Sequence, residues 1–206
     1  MVRFSGAKNK IARRFGINIF GRLRNPMLHK QNPPGQHGAK RKKKSDYGLQ
    51  LEEQQKLRAC FGMLSKKQLL KCYKEASRKK TGTIAHNFME LLELRLDTAV
   101  YRLKFANTIF QAQQLVAHGH ILVNGKKVDI RSFKVKPGTH ISIKEKSQKL
   151  PLIKEALESP MREVPEYYSL DATKFSGQLI TIPEIDQIPI PLVNIPLVCE
   201  FLAHTS

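Results

Sequence analysis

Residues 95–128 read RLDTAVYRLKFANTIFQAQQLVAHGHILVNGKKV, and a change of period inside that stretch decides the fold. Leu96 to Phe105 has helical spacing. Thr108-Ile109-Phe110-Gln111 then places a hydroxyl three residues before an amide, the capping-box pattern that opens a helix. That helix carries Ala112, Leu115 and Val116 on one side and Gln111, Gln114 and His118 on the other, and Gly119 stops it. From His120 the period shortens to two. His120-Ile121-Leu122-Val123 and Lys126-Lys127-Val128 flank Asn124-Gly125, a dipeptide that accepts the positive φ both turn positions of a two-residue hairpin need.

Outward from this core the pattern stays regular. Thr139 to Lys146 alternates, with Ile141 and Ile143 on one face and His140, Ser142 and Lys144 on the other, which predicts a further strand. Lys149 to Glu158 predicts a helix with Pro151 in its first turn, and Tyr167 to Leu170 and Gln178 to Ile182 predict two short strands. Asn194 is placed to cap a last helix, with Pro196 tolerated in its first turn and Leu197, Val198 and Phe201 as its apolar face. Upstream lie three helical pieces: Leu49 to Phe61, one opened by the capping box Ser65-Lys66-Lys67-Gln68, and Thr83 to Leu94 after a break at Gly82. In the second piece Leu69, Leu70, Cys72 and Tyr73 lie opposite Lys67, Lys71, Lys74 and Arg78. The class is α+β. The apolar stripes are core; only the basic faces are functional candidates.

Charge names the kind of partner. The 206-residue chain holds 36 Lys and Arg against 17 Asp and Glu, a formal +19, and a body that positive is accounted for by a polyanion. The excess is uneven: residues 1–44 contain thirteen basic residues and no acid, 45–160 are net +10, and 161–206 are net −4. Pro26, Pro33 and Pro34, with Gly16, Gly21, Gly35 and Gly38, predict that the first 45 residues form an irregular basic arm, one that orders only against its partner. Cys60, Cys72 and Cys199 are too scattered for a local zinc site and point to a reducing compartment. No apolar run approaches the length of a membrane span, and Arg13 and Arg14 interrupt the only signal-peptide candidate, so a soluble, cytoplasmic chain is expected.

A polar helix face beside a basic hairpin suits structured RNA. Amides and imidazoles can meet 2′-hydroxyls, while Lys and Arg neutralise phosphates. The RNA-binding candidates are therefore Thr108, Gln111, Gln114, His118, His120, Asn124, Lys126 and Lys127, with Arg102 and Lys104 just before them. Lys71 and Arg78 join them from the upstream basic helix, and Arg3, Lys8, Arg13, Arg14, Arg22, Arg24, Arg41, Lys42, Lys43 and Lys44 from the arm. No catalytic residue, metal ligand, cofactor or small-molecule substrate is predicted. Each histidine alone is more often an ordinary surface or capping residue; the constellation carries the argument.

Arg95-Leu96-Asp97, Tyr101-Arg102-Leu103 and the run from Ala112 to Gly125 resemble the RNA-binding motif named after small-subunit ribosomal protein four. Pro34-Gly35-Gln36-His37-Gly38, followed by Lys42 to Leu51, resembles the junction of arm and helical domain in the bacterial-type family itself, and Asn194 to Leu202 resembles its C-terminal helix. Gln36 and His37 thereby join the RNA-binding candidates. The resemblance covers nearly the whole chain. It implies an arm over 1–45, a helical domain over 46–93 completed by a helix within 188–206, and an inserted RNA-binding domain over 94–187 with two helices on a mostly antiparallel sheet. It further implies a primary binder of small-subunit ribosomal RNA that seizes a multi-helix junction early in assembly. Such proteins line the messenger entry path and meet ribosomal protein five, a contact tied to decoding accuracy. Two departures stand out. Many relatives carry basic residues where this chain has Ile109 and Gln113, which implies weaker charge on that helix, and the arm lacks the cysteines with which some relatives bind zinc.

Two other readings compete. An RNA-modifying enzyme such as a pseudouridine synthase would use Asp97 beside Arg95 and Leu96, but only about 75 residues follow the motif, too few for its catalytic fold. A free RNA-binding stress or recycling factor would have no use for the arm.

Overall fold

The computed structural model describes residues 4–21, 25–40, 43–160, 162–191 and 193–205. The chain divides into two compact units, Met1–Glu75 with Ile190–Ser206, and Ala76–Pro189.

In the first unit the arm is not wholly irregular. Helix α1 (Lys8–Phe15) buries Ala12, and Ile19 and Phe20 beyond it are also buried. The prolines and most of the glycines lie after this stretch, so they do not interrupt it. Helix α2 (Asp46–Cys60) begins three residues earlier than the apolar period predicts, because Ser45 accepts a bond from Gly48 N–H and caps it. α2 packs on the last helix, α9 (Ile195–Thr205). Gln50 donates to Glu200 (3.1 Å), Asn194 N–H donates to Glu53 (2.8 Å), and Tyr47 lies 5.6 Å from the Phe201 ring. Asn194 caps α9 by accepting from Leu197 N–H. Between them in sequence, α3 (Lys66–Arg78) opens with the reciprocal Ser65–Gln68 capping box, at 3.2 and 3.1 Å.

The second unit holds α4 (Ile84–Glu93), α5 (Leu96–Arg102), α6 (Ile109–Ala117) and an antiparallel sheet. Its strands are β1 (Ile121–Val123), β2 (Lys126–Lys127), β3 (His140–Ile143), β4 (Tyr168–Asp171) and β5 (Ser176–Leu179), in the order β2-β1-β3-β5-β4. Ile121, Val123, Ile141, Ile143 and Leu179 pack with Leu96, Val100, Leu103, Leu115 and Val116 in one core. Short α7 (Glu145–Gln148) follows β3, and α8 (Pro151–Glu158) adds Ile153 to that core, with Pro151 in its first turn. Several predicted bounds shift, and the strand predicted over Thr139 to Lys146 ends at Ile143, where α7 takes over from Glu145. Lys104 at φ 60 ends α5 before Phe105, and β5 starts at Ser176 because Asp171 accepts from Thr173 and Lys174 N–H to make a tight loop. Ile180 and Ile182 consequently lie outside the strand, exposed.

Candidate nucleic-acid interface

The start of α5 is fixed from a distance. Leu96 and Asp97 N–H donate to the carbonyls of Phe133 (2.9 Å) and Arg131 (3.2 Å), and Val135 N–H returns a bond to Leu94. Asp97 is fully buried and accepts from Arg95 Nε and Nη2 (3.0 and 2.9 Å), Thr98 N–H (3.1 Å) and Gln113 Nε2 (3.4 Å). A carboxylate so enclosed ties α5 to α6 and presents no oxygen to a substrate, which removes the geometric basis of the enzyme reading. Gln113 is thus a core contact, and Ile109 is also buried. At the two positions where many relatives carry basic residues, the side chains of this chain therefore turn inward.

Arg102 needs the same correction. Its guanidinium donates to both oxygens of fully buried Glu93 (2.6 and 3.1 Å) and to Pro189 O (3.1 Å). Burial works against its charge, but Glu93 more than offsets this and holds the guanidinium protonated. Tyr167 donates its hydroxyl to the same Glu93 oxygen (3.0 Å). Arg102 is an internal brace. Lys104 stays half-exposed at the end of α5.

The helix–hairpin face assembles as the period predicts. Thr108 caps α6 by accepting from Gln111 N–H (3.2 Å), and Gln111 reaches back one residue further than a capping box, accepting from Asn107 N–H (2.8 Å). Both side chains therefore stabilise the helix as well as edging the face. Gln114 and His118 are both exposed, successive turns of one stripe. Gly119 at φ 71 ends the helix, and the Lys127 stem crosses it so closely that a Cβ would lie 2.1 Å from Lys127 Cε. The hairpin turns at Asn124 (φ 48) and Gly125 (φ 78), the type I′ signature. Asn124 Oδ1 accepts from His140 N–H (2.9 Å), so this asparagine locks β1 to β3 while remaining exposed at the tip. Lys126 and Lys127 are exposed. His118 and His120 lie 6.0 Å apart between ring centroids, and His120 Nδ1 is 2.8 Å from Ser147 Oγ.

In the first unit Arg14, Gln36, His37, Lys43 and Lys44 are exposed, and Lys44 pairs with Glu52. Arg13 instead braces the arm, donating to Asn32 O (3.1 and 2.8 Å), and Lys8 is half-buried. Arg3, Arg22, Arg24, Arg41 and Lys42 lie outside the described residues. On α3, Lys71 is exposed together with Lys67 and Lys74, two positions the candidate site omitted although their spacing places them on the same stripe, and Arg78 continues that stripe beyond the first unit. Lys144, another omission, reaches the hairpin through the β1–β3 register, which no local pattern reveals.

A capped helix feeding a type I′ hairpin, with amides, imidazoles and ammoniums outward and Asp97 and Glu93 enclosed, defines an RNA-binding protein. Residues 3–93 match the family model described as ribosomal protein S4/S9 N-terminal domain, and residues 94–141 match the S4 domain. The relatives include small ribosomal subunit protein uS4 of Protochlamydia amoebophila (strain UWE25), 63% identical over 207 residues, covering all of both chains. That of Chlamydia trachomatis serovar L2 is 61% identical and that of Chlamydia pneumoniae 60%, each over 211 residues and again in full. The chain belongs to the small-subunit ribosomal protein S4 family, whose members are structural and not enzymatic.

Proposed function

We propose that this chain is a structural constituent of the small ribosomal subunit, in the cytoplasm, and a primary binder of its ribosomal RNA that nucleates assembly at a multi-helix junction. The observation that carries the reading is the full-length kinship joined to a face that presents Gln114, His118, Asn124, Lys126 and Lys127 while enclosing Asp97 and Glu93. Phosphate contacts from the arm and α3 supply most of the affinity, and the helix–hairpin face supplies register. In domain terms the arm covers 1–45, the helical domain 46–93 with 188–206, and the RNA-binding domain 94–187. Neighbouring small-subunit proteins, including ribosomal protein five, are the protein partners through which it contributes to decoding accuracy; the net −4 of residues 161–206 suits protein contacts better than phosphates. Reconstitution of subunits with labelled chain tests the assembly role. Deletion of residues 1–44 is expected to cut incorporation sharply, and undiminished incorporation without the arm contradicts the reading.

A further inference from the structure

The root of the hairpin concentrates cations beyond what its internal bonds use. His118 ends α6 and His120 precedes β1, their rings 6.0 Å apart. Lys127 comes in from β2, and only the missing side chain of Gly119 leaves room for it: a Cβ there would lie 2.9 Å from Nζ. From the β3–α7 junction, Lys144 N–H donates to His120 O (2.9 Å), continuing the register that pairs Ile121 with Ile143. From α7, Ser147 Oγ meets His120 Nδ1 at 2.8 Å, which leaves Nε2 for a further partner. The groups that act on His120 are therefore His118, Lys144 and a neutral serine, with Lys127 crossing the adjacent Gly119. Glu145 follows Lys144 and is exposed, and among the described residues no carboxylate makes an ion pair with either histidine or with Lys127 or Lys144.

We propose that His118, His120, Lys127 and Lys144 form a subsite for an RNA backbone phosphate, and that the histidine pair takes up a proton when the phosphate binds. The inference rests on the RNA-binding reading of this face and adds its regulation by pH. In the free protein, burial first and then His118 and Lys144 hold the His120 imidazole below the ordinary histidine range. Stability from the neutral ring is therefore complete above that range and declines as pH falls through it. A phosphate reverses the balance, since an anion favours the imidazolium. Affinity then rises as pH falls, by linkage.

The test is the affinity of the full chain for purified small-subunit ribosomal RNA, with transfer RNA as competitor, from pH 8 to 5.5 at fixed ionic strength. The native chain should gain affinity through the histidine range, approaching about tenfold per pH unit for one proton taken up. The double variant H118Q/H120Q, which keeps hydrogen-bonding groups that cannot charge, should lose that slope. Lys144→Gln should weaken binding yet begin the rise at higher pH, because the imidazole sheds a neighbouring cation; a merely structural role for Lys144 would not move the midpoint. Equal slopes in the native chain and the double variant overturn the proposal and assign any proton uptake to other histidines. Loss of preference over transfer RNA at every pH overturns the ribosomal reading instead, and the difference in slope still judges the subsite.

Discussion

Glu93 illustrates how much a single residue holds at the centre of the second unit. Fully buried, it receives Arg102 bidentately and the Tyr167 hydroxyl, whose own ionisation is pushed upward, first by burial and then by Glu93. Removing one partner of a buried pair strands the other charge, at a cost of about 3–5 kcal/mol. Glu93→Gln should therefore lower the urea midpoint markedly, whereas the apolar double replacement E93L/R102M should cost less than E93Q alone. Equal midpoints for E93Q and the native chain contradict the assignment. The adjacent tyrosines make a paired control. Tyr167→Phe loses a bond to a carboxylate, at about 1.5–3 kcal/mol, while the buried Tyr168 hydroxyl has no hydrogen-bond partner among the described residues and Tyr168→Phe should be neutral or stabilising by the same denaturation measurement.

Three helix caps and the hairpin are where sequence reading succeeded, since their signals are local. Ser65–Gln68, Thr108 and Asn194 each occupy the cap their spacing announces, and Asn124-Gly125 turns with both φ positive. Ser65→Ala and Thr108→Ala are each expected to cost about 1 kcal/mol in denaturant melts, with the latter also loosening α6. Signals that depend on distant chain were not legible. The basic look of Arg102 said nothing of Glu93 nine positions back and buried, and the polar look of Gln113 hid its turn toward Asp97. Residues 178–182 have strand-like composition, yet the side-chain bonds of Asp171 set where pairing begins. The arm was read by its prolines and glycines, and the apolar residues ahead of most of them built α1 all the same. Lys144 entered the hairpin root only through cross-strand register.

Across the whole molecule the governing quantity is the +19 charge and where it lies. Binding that engages roughly six phosphates makes log affinity fall with log salt at a slope of about −4 to −5. The exposed α3 stripe of Lys67, Lys71, Lys74 and Arg78 should contribute to that slope. Changing all four to Gln is expected to flatten it by about one for each phosphate no longer neutralised, while weakening all RNAs alike. Changes at Gln114, His118 or Asn124 should instead weaken the cognate RNA preferentially. The most direct measurement is a competition titration of the full chain on small-subunit ribosomal RNA against transfer RNA at several salt concentrations. A steep slope with a preference of about a hundredfold or more for the ribosomal RNA is the predicted result. Equal affinity for both RNAs would contradict the account and leave a general basic RNA binder.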